Sequence, residues 1–190
     1  MTSATASFLA QAAPLRTMPT APEKDLRVVC KLDAARIQDL RLGASLVERT
    51  GYDVVALVAK VSLDRVALGA ALHRQARATL HGSPRSFRNA ISRGYYAMYQ
   101  TFRGVVFYVN RGDDFEAHSK LSQHLPKDFP QVGYWANALK DARLERNRAD
   151  YEPYPRSDTA FAASAATIYK NSHQLRIAAR AYLRGKGLKA

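Results

Sequence analysis

The sequence predicts an all-α protein: an up-and-down antiparallel bundle of four to five helices carrying an N-terminal extension. Three observations predict it. From residue 62 onward, apolar residues recur at spacings of three and four, the period of one helix face. Glycines and prolines fall between these stripes rather than inside them, so the breaks are short loops. The chain has 190 residues, of which 47% are hydrophobic. A chain of that length buries roughly 70% of its unfolded surface in one domain, enough for a core without staples.

The elements follow in order. Residues 1–24 hold Pro14, Pro19 and Pro22 among small residues, a composition that predicts disorder because too little apolar surface offsets the ordering entropy. Residues 25–61 form an extension of mixed signal. Val28-Val29-Cys30 is short and apolar, as in a strand. A helical pattern runs from Asp33 through Ile37, Leu40, Leu46 and Val47 to a stop at Gly51, and Val54 to Val61 fits either a helix or a buried strand. The bundle itself is expected over residues 62–183. Ser62 is placed as a helix cap, with a stripe of Leu63, Leu68, Leu72, Ala76 and Leu80 ending at Gly82. Pro84 is read into the first turn of the next helix, where its missing N–H costs nothing. That helix carries Phe87, Ile91, Gly94, Met98, Phe102, Val105 and Val109 on one stripe and reaches Asn110. A loop from Asn110 to Glu116 precedes a short helix around His118–His124, closed by Pro126. Another helix is predicted over Val132–Asp150, before Pro153 and Pro155. The last starts near Asp158 with Phe161, Ala165, Ile168, Leu175, Ala179 and Tyr182 on one face. Residues 184–190, RGKGLKA, read as a basic tail.

Charge narrows the function. Lys and Arg number 29 against 16 Asp and Glu, a formal charge of +13, which makes nucleic acid the first partner to consider. Cys30 is the only cysteine, excluding a disulfide framework and a thiolate zinc cluster. The five histidines are scattered with no carboxylate-backed ligand spacing, so neither a metal nor a cofactor is predicted. No apolar run is long enough to span a membrane, and the apolar stretch at Phe8-Leu9 is too short for a secretory core, so the expected compartment is the cytoplasm.

Two segments can carry chemistry. In SRGYYAMYQTFR, residues 92–103, Ser92, Tyr95 and Tyr99 share a helix face, and Tyr96 is placed on the other flank. These rings either pack helix against helix or offer a stacking and hydrogen-bonding surface to a base or partner. In RLERNRADYEPY, residues 143–154, continuing the stripe of Trp135, Leu139 and Ala142 places Arg146 inward, flanked by Arg143 and Asn147. An inward arginine needs a partner because an unpaired buried charge is expensive, and Asp150 stands one turn away. Either Arg146 and Asp150 form a structural pair that also fixes Tyr151, or Arg143, Arg146 and Asn147 line a cleft for phosphate, which guanidinium forks suit better than lysines do.

Together the segments carry a resemblance. Ser92, Tyr95, Tyr96, Ala97 and Met98, then His118 and Ser119, then Arg146, Ala149, Asp150 and Tyr151 resemble the HEPN family, in the branch whose helices read YYAM and RxxADY. Glu152-Pro153-Tyr154 resembles the segment that follows. The likeness covers about residues 62–183. It implies a helical bundle that pairs into a homodimer, with ribonuclease activity in toxin–antitoxin or phage-defence modules and often a nucleotidyltransferase antitoxin as partner. The family's catalytic signature is an arginine followed after four to six residues by a histidine. Here Tyr151 stands in that place, and no histidine lies between His124 and His173. Without an imidazole, acid–base transfer at neutral pH loses its best-matched group. The expected enzyme is a metal-independent endoribonuclease with Arg146, Asp150 and Tyr151 as catalytic residues and Arg143, Arg146, Asn147, Tyr95, Tyr99 and Ser92 holding RNA. The alternative is a non-catalytic module that binds RNA or nucleotide, or assembles with a nucleotidyltransferase.

Overall fold

The computed structural model of the chain describes residues 22–110 and 120–188. The chain divides into two units, Met1–Gly51 and Tyr52–Ala190. Residues 1–21 of the stretch predicted to be disordered and most of the loop after Asn110 lie outside the described residues, as do His118 and Ser119; Glu23 and Lys24, placed in that stretch, are instead helical.

In the first unit, α1 spans Glu23–Val29 and α2 spans Ala34–Thr50. The apolar run Val28-Val29-Cys30 is therefore the end of a helix and not a strand. Acids at Glu23 and Asp25 sit at the positive end of α1, and Glu23 pairs with Arg27 one turn on at 2.7 Å, both local preferences that favour helix. Asp33 caps α2 by accepting from the Arg36 amide at 2.9 Å. Gly51 ends it in the left-handed conformation, at φ 71°, which suits glycine because it has no Cβ.

The second unit is an all-α, up-and-down bundle. Its helices are α3 (Val54–His81), α4 (Phe87–Asn110), α5 (Val132–Tyr151) and α6 (Ala162–Gly185), with short 3₁₀ turns at Leu121–Gln123 and Asp158–Phe161. The 3₁₀ turn at Leu121–Gln123 occupies part of the short helix expected around His118–His124. Asp53, not Ser62, caps α3, accepting from the Ala56 amide at 2.6 Å. Ser62 lies inside the helix, fully buried, and donates to the Gly104 carbonyl at 2.8 Å. The boundary placed at residue 61 therefore falls within a continuous helix. Leu68, assigned to the inward stripe, is exposed, and the face α3 buries is Val66, Gly69, Ala70, His73, Ala76 and Leu80. Pro84 precedes α4 rather than entering its first turn. The start of α4 is capped from a distance instead, with the Phe87 and Arg88 amides donating to the two Asp158 oxygens at 2.7 and 3.0 Å.

Helix α4 is the centre of the bundle and packs against α3, α5 and α6. Its predicted stripe is buried from Ile91 to Val105, with Phe87 and Val109 packed at the edges. The stripe predicted for the last helix is buried throughout, from Phe161 in the 3₁₀ turn to Tyr182 in α6. Helix α3 approaches α4 closely at Gly69, where an added Cβ would stand 2.9 Å from the Ala97 carbonyl oxygen and collide with Thr101 Oγ1. Overpacking of this kind costs about 1–3 kcal/mol. Gly69→Ala is thus expected to lower the urea midpoint with an unchanged m-value. An unaltered midpoint would mean that the two helices part without cost.

Of the basic tail predicted at 184–190, residues 184–188 are instead the end of α6 and its cap, and residues 189–190 lie outside the described residues. The Leu188 amide donates to the Leu183 carbonyl and the Gly187 amide to that of Arg184, both at 2.9 Å, with Gly187 at φ 87°. This is the Schellman arrangement, and the accompanying apolar contact is supplied by Leu188 and Leu183, both buried. Lys186 is tied down as well, 2.6 Å from Asp128, which also accepts from the Tyr182 hydroxyl at 2.8 Å.

Candidate nucleic-acid interface

The facing sides of α4 and α5 bring the two sequence segments together. Arg146 donates from Nη2 to the Tyr96 hydroxyl at 2.9 Å and from Nη1 to Asn147 Oδ1 at 3.2 Å. Its Nε lies 2.7 Å from Asp150 Oδ2. The N–H there is not aligned on the oxygen, so this contact is an ion pair rather than a hydrogen bond. The guanidinium carbon sits 5.3 Å from the Tyr96 ring and 4.9 Å from the Tyr151 ring, within cation–π range of both. Burial opposes the charge, but the neighbouring Tyr151 hydroxyl and the Tyr96 and Asp150 oxygens outweigh it, holding the Arg146 pKa above its ordinary value. Ser92 Oγ completes the shell, donating to Asp150 Oδ2 at 3.3 Å.

Tyr95, Tyr96, Arg143, Arg146 and Asn147 line a cavity of about 180 Å³. A water takes about 30 Å³ of liquid, so this space accommodates a phosphoryl group. Arg143 faces it with no hydrogen-bond or ion-pair partner among the described residues. A larger cavity of about 540 Å³ lies between α5 and α6. Its charged lining residues are Asp141 and Glu145, with no cation, so it repels a phosphate.

Of the nine residues singled out by sequence or by the cavity, the structure unites most. Arg143, Arg146, Asn147 and Tyr95 line one space, with Asp150 and Ser92 behind the arginine. Tyr151 stacks on Arg146 from an exposed position. Tyr99 does not join them: it is buried in the core, and its ring neighbours Tyr95 at 6.1 Å. Helical angle alone sets Tyr96 on the far flank. Its ring is long enough to carry the hydroxyl back across α4 to Arg146, and no periodicity argument reads side-chain reach. Burial, followed by the neighbouring Tyr99, pushes the Tyr95 hydroxyl pKa well up, so it stays protonated and serves as a donor at neutral pH.

Two residues outside the predicted set hold the cavity's walls in place. Arg88, on α4, donates to the Ala149, Glu152 and Pro155 carbonyls at 2.7, 2.9 and 2.7 Å. Its guanidinium carbon lies 4.2 Å from the Phe161 ring. With the Asp158 cap, it locks the end of α5 and the connection to α6 onto the start of α4.

Among the described residues, no three His, Cys, Asp or Glu side chains are grouped to hold a metal ion, and no helix is long and apolar enough to cross a membrane. In comparisons with known proteins, the chain matches no family model, no curated protein and no solved structure.

Proposed function

We propose that the α4–α5 cavity receives an RNA phosphate and that the protein is a HEPN-like RNA-acting component of a toxin–antitoxin or defence module. The observation that carries this reading is the fixed guanidinium of Arg146, clamped by Tyr96, Asp150 and Asn147 beside the unpartnered Arg143. A pre-oriented fork at a cavity mouth suits the bidentate geometry of a phosphate and stabilises charge that develops on it. In the same reading, the ribose 2′-oxygen attacks the phosphorus as the P–O5′ bond breaks, Tyr151 protonates the departing 5′-oxygen, the tyrosinate so formed takes up the 2′-hydroxyl proton, and a homodimer completes the cleft.

A second reading has its own support. The cavity lining includes no imidazole, and Tyr95 keeps its proton. That composition favours a module that binds RNA, or assembles with a nucleotidyltransferase, without cutting.

Induced expression of wild type and Arg146→Ala, with growth and total RNA followed, separates the readings. The toxin reading expects growth arrest with RNA cleavage, and the variant's cleavage should fall about 10²–10³-fold, the usual loss when a preorganised electrostatic donor is removed. Intact RNA and normal growth, with RNA retained by wild type and released by the variant, would select the binding module. Equal RNA retention by a folded variant would remove Arg146 from both.

A further inference from the structure

A second basic surface lies on the other side of α4, where α3 meets α6. The register there is set by His73 Nδ1, 2.8 Å from Ser172 Oγ, and by the His73 ring stacked 4.7 Å from that of Tyr169. The Ser172 hydroxyl donates to the Tyr169 carbonyl at 2.7 Å. Its proton is thereby committed, so Nδ1 must carry the hydrogen that His73 donates. The pair is a structural clasp and not an activated serine.

Around this clasp stand Arg74 and Arg77 from α3, and His173, Arg176 and Arg180 from α6. Arg74, Arg77, His173 and Arg180 are exposed, and Arg176 is half-buried. None of the four arginines has a hydrogen-bond or ion-pair partner among the described residues, and the Arg176 Nε is buried without one. The reason is written in the composition: residues 65–112 and 159–190 contain no Asp or Glu at all. The fold lays the acid-free half of α3 along the wholly acid-free α6. The charges feel one another, since burial and then the proximity of Arg180 and Arg74 hold the Arg176 pKa below its ordinary value. Like charges gathered without a counter-charge destabilise the free protein, and a bound polyanion relieves this.

We infer that the α3–α6 face is a separate RNA-binding surface, on which Arg74, Arg77, Arg176 and Arg180 contact backbone phosphates. Arginine forks match phosphodiester oxygens in pairs. The Tyr169 and His173 rings, both against His73 at 4.7 and 5.5 Å, put aromatic faces beside those cations, the combination that binds single strands through phosphate and base together. This surface is independent of the Arg146 cavity and of any cleavage there.

The test is binding of the full chain to a short fluorescein-labelled single-stranded RNA at a series of salt concentrations. The triple variant Arg74→Gln, Arg77→Gln, Arg180→Gln alters only exposed side chains. The control Arg36→Gln, Arg41→Gln, Arg49→Gln removes the same charge from α2. The first triple is expected to weaken binding at least about tenfold and to flatten the slope of log K against log salt by about 2, since each single-strand phosphate contact contributes about 0.7. The control should change both far less. Equal losses in the two triples would reduce the effect to bulk charge and overturn the site. So would wild type that does not bind RNA, or RNA affinity unchanged in the first triple while capture by phosphatidylserine vesicles is lost. Because the readout is affinity rather than cleavage or growth, failure of the Arg146 reading leaves this result interpretable.

Discussion

Replacing Arg88 by methionine is expected to destabilise the protein by about 3 kcal/mol, a drop of about 6–12 °C in melting temperature for a domain of this size. Methionine keeps an unbranched apolar stem against Phe161 but removes all three bonds to Ala149, Glu152 and Pro155. Hydrogen bonds to a charged group contribute about 1.5–3 kcal/mol each, and their sum is reduced here because the freed carbonyls are partly reached by water. Lysine should recover only a fraction, since a compact ammonium cannot span three carbonyls as a planar fork does. Scanning calorimetry of the two variants checks this. A methionine variant melting within about 2 °C of wild type, less than the shift that 1 kcal/mol produces, would show that Arg88 is not the lock between α4 and the end of α5. Those helices wall the Arg146 cavity, so if the cavity takes an RNA phosphate as proposed, RNA affinity should decline along with stability.

Acid should weaken the bundle through one buried imidazole. Burial lowers the His73 pKa from 6.5 to about 4, helped by the nearby charges of Arg176, His173, Arg77 and Arg74. In the unfolded chain the same imidazole titrates near its ordinary value of about 6.5. Between these two values the unfolded state binds more protons, so stability rises with pH. The contribution is fully present above about pH 6.5 and is lost as pH falls to about 4. Each unit of difference is worth about 1.4 kcal/mol, so the loss approaches about 3 kcal/mol. His73→Gln has no titrating proton, and its amide can still donate to Ser172. Urea unfolding across this window should show wild type losing about 3 kcal/mol more than the variant. Parallel pH profiles would mean that protonated His73 is accommodated without cost.

The sequence exposed the helices well where they pack. The stripes of α4 and α6 were legible because one face of each is buried along most of its length, and a continuous buried face imposes the 3.6-residue period. The same logic placed Arg146 inward and put Arg143 and Asn147 beside it. The readings that differed from the structure have local causes. Ser62 has the chemistry of a cap but sits where α3 crosses α4, and its hydroxyl is consumed by the Gly104 carbonyl. The apolar run ending at Cys30 lacks a buried face to declare its period. RGKGL has the glycine-then-leucine signature of a Schellman cap, yet its charges suggested a solvated tail. Arg88 and Asp158 gave no signal, since an arginine and an aspartate outside any motif normally read as solvated.

By itself the sequence determined the helical class, the inward position of Arg146, the missing histidine and the absence of acids from residues 65–112 and 159–190. These are properties of composition and of a period that repeats within one segment. Tertiary structure alone decided that Tyr96 reaches Arg146, that Arg88 ties α4 to carbonyls more than 60 residues away, and that His73 meets Ser172 across 99 residues. Only packing decided that the acid-free half of α3 lies beside the acid-free α6 and that their arginines gather. Such contacts depend on which helices become neighbours and at what register, and helical periodicity carries no information about either.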